Sequence, residues 1–292
     1  MNPRKVRKVV IPIAGLGTRF LPVTKAVPKE LLPIIDKPII HLIVQEAINA
    51  GLETVIFVTS RPKILVEDYF DPADLTAHKL SDHKNGHLID EVLNFSKKID
   101  FVSVRQYQQK GLGHAILQAA PVVAGQNFAV ILGDDVILKS SRSNGIGPCI
   151  EKFENLSQGS VVGTVEVDQS EVSNYGVVKI SPEDSKRAVD FLEKPSSGAA
   201  PSNIIMPGRY VFEKELLEFL KDTPATLNNE IQLTEAMSRM IKKHPFYIAP
   251  IEGARYDTGD KLGYIMANVA AALEDPKLGP KLKKWFLKKL EE

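Results

Sequence analysis

The chain has 292 residues, 43% hydrophobic and 25% charged, a length and composition that can bury a core without disulfide or metal staples. Its 37 basic and 36 acidic residues leave a net charge of +1, which offers no field for nucleic acid or a membrane surface. The single cysteine, Cys149, excludes a disulfide within the chain.

Arg4, Lys5, Arg7 and Lys8 precede the apolar Val9-Val10-Ile11, which resembles the start of a secretory signal. Gly15, Thr18 and Arg19 interrupt the apolar run before it is long enough, and no run of about 18 apolar residues occurs anywhere. The reading is a cytoplasmic protein. Residues 9–14, 54–59, 101–104 and 129–132 are short, β-branched and apolar throughout, and read as strands. Residues 38–50 read as a helix opened by Pro38 and closed by Gly51; residues 89–95 and 113–120 read as further helices. Apolar strands alternating with helices predict an α/β fold: a Rossmann-like, mostly parallel central sheet with helices on both faces. Ligands of such sheets bind at the carboxyl ends of the strands.

The second half is mixed. Residues 161–167, 177–180, 189–192 and 209–212 read as strands, and 214–220, 231–242 and 261–273 as helices. With no Gly/Ser linker and no repeat, residues 1–275 read as one α/β domain, its Rossmann-like side at 1–140 and a β elaboration at 141–275. Residues 276–292 read as a C-terminal helix. Leu278, Leu282, Trp285, Phe286 and Leu290 share one face of it, suited to docking on the body or on another subunit. Cys149 precedes a helical pattern and reads as a small buried apolar group rather than a nucleophile.

The first strand runs into Ala14-Gly15-Leu16-Gly17-Thr18-Arg19, whose glycines let backbone N–H groups approach an anion. A dinucleotide-binding loop requires Gly or Ala where Phe20 stands and a helix where Pro22 and Pro28 fall; a P-loop requires a Gly-Lys-Ser/Thr that is missing. What remains is a long proline-stiffened loop carrying Arg19, Lys25 and Lys29. With Pro28-Lys29-Glu30-Leu31-Leu32-Pro33 and Lys37-Pro38, this loop resembles the signature of the sugar-1-phosphate nucleotidyltransferases.

The resemblance extends in order over residues 8–268. It implies that Ala14, Gly15, Leu16, Gly17, Thr18 and Glu30 bind the nucleotide, with Arg19 and Lys29 as catalytic cations on the phosphates. Gln106 and Gly111, the latter in Lys110-Gly111-Leu112-Gly113-His114, would contact the uracil edge. His114 reads better as a hydrogen-bonding group at the helix start. Asp134, after the strand at 129–132, is implied as the Mg²⁺ ligand, with Asp257 as a second acid sharing the metal; Asp135 would cap or orient. Gly176 and Glu193 would meet the sugar, and Lys194 its phosphate. The stretch 229–235 resembles a helix-start motif of the family, for packing or for contact. Lys29-Glu30 and residues 257–264 favour a uridylyl branch acting on UTP and glucose 1-phosphate as a homodimer or homotetramer, whereas Gly133 is closer to a thymidylyl pattern.

Overall fold

Val9 and Ile11 of the first strand are buried on one face of a sheet and Val10 on the other, and this double burial decides the architecture. The computed structural model describes residues 4–60, 63–72, 86–138 and 145–291. In chain order these form β1 (Lys8–Pro12), β2 (Pro33–Ile34), β3 (Lys37–Pro38), α1 (Ile39–Asn49), β4 (Thr54–Thr59), α2 (Ile64–Phe70) and α3 (Gly86–Leu93). There follow β5 (Asp100–Arg105), α4 (Gly111–Gln118), α5 (Ala120–Val123), β6 (Phe128–Ile131), β7 (Asp135–Leu138), α6 (Gly147–Asn155) and β8 (Ser160–Glu166). The remainder comprises β9 (Gly176–Ile180), β10 (Arg187–Glu193), β11 (Ile204–Ile205), β12 (Arg209–Phe212), α7 (Leu216–Lys221) and α8 (Leu233–Met240). It ends with β13 (Phe246–Pro250), β14 (Ala254–Asp257), α9 (Lys261–Glu274) and α10 (Gly279–Glu291).

Ten strands make one sheet in the order β11-β9-β10-β13-β8-β12-β6-β1-β4-β5. The stretch β6-β1-β4-β5 is parallel, as continuous apolar strands joined by helices require. Val55 and Phe57 join Val9 and Ile11 in one apolar core, while Ile56 and Val58 join Val10 in the other. The expected mostly parallel sheet describes this half; in the other half β13 and β8 are one further parallel pair among antiparallel ones. Beyond the parallel half, β12 runs antiparallel to both β6 and β8. Because β11 pairs with β8 as well as β9, the strands β8, β11, β9, β10 and β13 return on themselves as a small closed ring. Closure leaves β11 no open edge, and a separate small core of Val172, Val177 and Ile205 lies beside it.

Two short strands lie outside the large sheet and matter most for the site. β7 and β14 pair antiparallel, with Asp135 opposite Asp257. Asp135 is a poor β-former and Arg255 a charged interruption, so neither segment reads as a strand from pattern alone. The hairpin β2–β3 continues the proline-rich loop and turns the chain into α1. Cys149 is fully buried, and burial pushes its thiol up to about 12, in keeping with an apolar role. α10 packs on α9, yet Trp285 and Leu290 remain 53% and 85% exposed, so the described chain covers only part of its apolar face. No helix among the described residues is long and apolar enough to cross a membrane.

One buried ion pair joins the layers. Arg209, fully buried on β12, donates to both oxygens of Glu46 on α1, at 2.9 and 2.7 Å. It also donates to the carbonyls of Pro207 and Asp135. Glu46 in turn accepts the backbone N–H of Ile146. Removing one partner strands the other charge. Arg209→Met should therefore cost about 3–5 kcal/mol in urea unfolding, whereas an exposed change such as Lys221→Met should shift the midpoint little.

Candidate active site

The parallel strands β1 and β4 end near the loop at residues 14–19, so the loop and the acids after β6 share one end of the sheet. Gly17 takes φ +66°, a left-handed turn, and its carbonyl accepts the Thr24 hydroxyl at 2.7 Å. Three short 3-10 turns, Thr18–Phe20, Val23–Lys25 and Lys29–Leu31, then carry the chain in place of the helix that a dinucleotide loop would have. Gly15, Leu16, Thr18 and Arg19 are exposed, while Ala14 is buried beneath them. The Ala14 carbonyl accepts Gln109 Nε2 at 2.9 Å, tying the loop to the start of α4.

Lys29 Nζ lies 2.5 Å from Asp134 Oδ2. Burial works against the ammonium, but Asp134 and Glu30 outweigh it and hold the Lys29 pKa above its ordinary value. Burial likewise opposes charge on Asp134, and Lys29 overcomes it, keeping that carboxyl below the usual range. The Asp134 carbonyl accepts both the N–H and the hydroxyl of Thr258 at 2.8 Å, bringing the loop after β14 over the acid. Gly259 is the meeting point. Its N–H donates to Asp257 Oδ1 at 2.9 Å, and its carbonyl accepts Arg19 Nη1 at 3.2 Å. A Cβ on Gly259 would stand 2.9 Å from Asp134 Oδ2 and 3.1 Å from Asp257 Oδ1. The two carboxylates thus face a common point. Burial and the negative charge of Asp134 raise the Asp257 pKa, a repulsion that a divalent cation between them would relieve. Asp135 is not available for that task, since both its oxygens hold Arg255.

Glu30 sits differently from its expected place. It is 1% exposed, its Oε2 is 2.5 Å from Lys63 Nζ, and its Oε1 is buried without a hydrogen bond. Its side chain lies under the loop and does not open toward the cleft. Gln106, by contrast, commits Nε2 to the Gly111 carbonyl at 3.3 Å and to His114 Nδ1 at 2.9 Å, while Oε1 has no partner among the described residues. His114 has the helix-start hydrogen-bonding role read from the sequence, its Nε2 meeting the Gln118 amide. The 229–235 stretch packs against the same loop: Ile231 N–H donates to the Lys110 carbonyl, and Gly113 N–H to that of Ile231.

A cleft of about 1190 Å³ opens beside the acids, lined among others by Arg19, Asn174, Lys194, Arg255 and Asp257. β9 and β10 pair Gly176 with Glu193, so the two expected sugar residues are neighbours. Glu193 Oε2 accepts the Thr234 hydroxyl at 3.1 Å. Lys194 follows at φ +44°, a left-handed conformation that costs a non-glycine residue about 1 kcal/mol or more. Its N–H is held by the Tyr175 carbonyl at 3.0 Å. Lys63, Arg255, Thr258 and Gly259 are absent from the sequence-based set. Reading residues 254–257 as a strand would have placed Arg255 and Asp257 on one face and so drawn attention to the first.

The model of the Nucleotidyl transferase family matches residues 8–274, and the chain belongs to this family of enzymes. Among the similar proteins, a UTP–glucose-1-phosphate uridylyltransferase of Staphylococcus epidermidis is 42% identical over 290 residues, 99% of each chain. A UDP-glucose pyrophosphorylase structure from Acinetobacter baumannii aligns with a TM-score of 0.87 at 37% identity, covering 97% of this chain and 99% of that one. A UTP-bound UGPase structure from that organism gives 0.86 at the same identity and coverage.

Gly259→Ala should lower turnover by about 100-fold, the cost of displacing reacting groups by about 1 Å, with little change in melting temperature. Wild-type turnover in that variant would show that the two acids need not share the space over Gly259.

Proposed function

We propose that the protein transfers a uridylyl group from UTP to glucose 1-phosphate, releasing UDP-glucose and pyrophosphate. The observation that carries this reading is the convergence of Lys29, Arg19, Asp134 and Asp257 around Gly259, with Lys194 on the same cleft. Similarity over the full chain to a uridylyltransferase, and to a UTP-bound structure, supports UTP as the nucleotide.

The nucleophile is the phosphate oxygen of the sugar, attacking the α-phosphorus in line and expelling pyrophosphate. A phosphate monoester has its second pKa at about 6, so it is ionised at neutral pH and no general base is required. Repulsion between two polyanions is the obstacle. One unit-charge pair at about 4 Å is worth about 4 kcal/mol at an effective dielectric of about 20, so several cations must act together. Arg19 and Lys29 would neutralise the triphosphate while the backbone from Ala14 to Thr18 holds it, and Lys194 would take the sugar phosphate. Asp134 and Asp257 suit Mg²⁺, which when bound supplies positive charge to phosphate oxygens. Gln106 and the Gly111 backbone would meet the uracil edge, the free Gln106 Oε1 being suited to an imide N–H. Glu30, buried, would act through Lys29 rather than on the base. Gly176 would lie against the sugar ring and Glu193 would accept from its hydroxyls.

The sheet running through both halves supports residues 1–275 as one working domain, Rossmann-like on its nucleotide side. The exposed apolar side chains of α10 support a homodimer or homotetramer, and the reading as a whole suits a cytoplasmic enzyme.

Pyrophosphate release tests the reaction, with UTP and dTTP each offered glucose, galactose and mannose 1-phosphates. The UTP–glucose pair should be fastest; no release with any pair would leave a binding protein. Lys194→Ala should cut turnover by several orders of magnitude with UTP binding retained, and near-normal turnover would remove Lys194 from the reaction. Asp134→Asn should abolish metal-dependent turnover, and residual Mg²⁺ activation would move the metal elsewhere.

A further inference from the structure

Arg255 has no part in the roles set out above, yet the two ends of the cleft touch through it. Its Nε donates to Asp135 Oδ1 at 2.6 Å and its Nη2 to Asp135 Oδ2 at 2.9 Å. On its other side the guanidinium carbon lies 4.3 Å from the centre of the Tyr175 ring. Each contact leads to a group placed in the reaction. Asp135 directly follows Asp134 and stands opposite Asp257 in the β7–β14 pair. Tyr175 holds Lys194 through its carbonyl, and Lys194 sits in a backbone conformation that relaxes unless something fixes it.

The geometry suits arginine specifically. A planar guanidinium grips a carboxylate with two parallel N–H groups and presents a flat face to an aromatic ring, which a lysine cannot do at once. Both partners of the ion pair are nine-tenths buried, so water does not substitute for either. The arginine also lines the cleft itself, between the acids and Lys194. β7 and β14 form a two-stranded sheet of their own, whereas β9 and β10 belong to the ten-stranded sheet, so Arg255 links two separate sheets.

We propose that Arg255 is a positioning residue for the transfer reaction: clamped by Asp135 and stacked on Tyr175, it fixes the separation between the carboxylate end of the cleft and Lys194. This rests on the uridylyl-transfer reading above. In that reading the nucleotide is held by the glycine loop, Arg19, Lys29 and Gln106, whereas the hydrogen bonds and ring contact of Arg255 go to Asp135 and Tyr175. Loss of Arg255 therefore misplaces the acceptor sugar phosphate relative to the metal end and leaves the nucleotide where it was.

Arg255→Gln, Arg255→Lys, Tyr175→Leu and the Arg255→Gln/Tyr175→Leu double variant separate this from a merely structural ion pair. UTP dissociation constants by calorimetry, UDP-glucose formation and thermal melts are measured on each. In Arg255→Gln and Tyr175→Leu, kcat/KM for glucose 1-phosphate should fall by about 10- to 100-fold, the range expected for misplacement of reacting groups, with UTP affinity within about twofold of wild type. The double variant should fall no further than the worse single one, because both remove one linkage. Arg255→Lys should recover less than about a tenth of wild-type kcat/KM, since a point charge replaces the fork. Should Arg255→Gln fail to fold, Tyr175→Leu, which leaves the carbonyl on Lys194 in place, carries the same comparison alone. Unchanged kcat/KM, an equal loss of UTP affinity, or multiplicative losses in the double variant would overturn the inference. Wild-type protein making no UDP-glucose would sink the reaction reading instead, a result distinct from an active wild type with an equally active Arg255→Gln.

Discussion

Lys29 and Asp134 meet across 105 residues of sequence, and the loop and the sheet are one site because they do. An ammonium and a carboxylate in contact are each drawn toward their charged forms, which opposes the burial that disfavours them. The consequence is spatial as well as electrostatic. The proline-rich loop has no helix of its own to hold it and is secured by contacts: Lys29 to Asp134, Arg19 to Gly259 and Ala14 to Gln109. A polyanionic ligand would exchange some of these contacts for its own. The loop is thus ordered beforehand by the same cations proposed to meet the triphosphate, which would lower the entropy lost on binding.

Beneath the acids lies a second layer of paired charge. Glu46, Arg209, Asp135 and Arg255 form an alternating chain from helix α1 through β12 to the wall of the cleft. Such a chain is costly to bury and contributes less to stability than well-packed apolar groups would. Its effect here is to fix the direction of the strand that follows Asp134, since the Asp135 carbonyl and carboxylate both have arginine partners. Lys63 and Glu30 do the same beneath Lys29. Neither pair faces open solvent, so salt should affect them far less than it affects surface pairs.

Much of the fold was legible because its central strands are mostly apolar: β4 at 54–59 in the parallel half and β12 at 209–212 beyond it coincide with the strands read from the sequence. The helices at 39–49 and 261–274 lie within a residue of expectation, their ends marked by Pro38, Gly51 and the Asp260 cap. The pairings beyond β12 were not legible. β11 has two residues, and β13 and β14 contain proline or charge, so no local pattern announces that they close a ring or carry Asp257 to Asp134. The site divides in the same way. Gly17, Arg19, Lys29, Asp134, Glu193 and Lys194 stand in short motifs; among them Lys29 meets Asp134, and Arg19 and Lys194 line one cleft. Glu30 lies in such a motif too, but its neighbour Lys63 is 33 residues away and turns it inward. Arg255 gave no signal, because an arginine in a short polar strand has many uses and its partners come from two distant segments.

The buried Cys149 has a practical consequence. With its thiol out of solvent and far from ionisation at neutral pH, thiol-directed reagents have no native target among the described residues. A cysteine introduced on the exposed loop at Leu16 and another at the exposed Ser173, which lines the cleft on its Tyr175 side, would therefore be the reactive pair. Spectroscopic labels on them would report the opening between loop and cleft without first removing anything from the natural sequence.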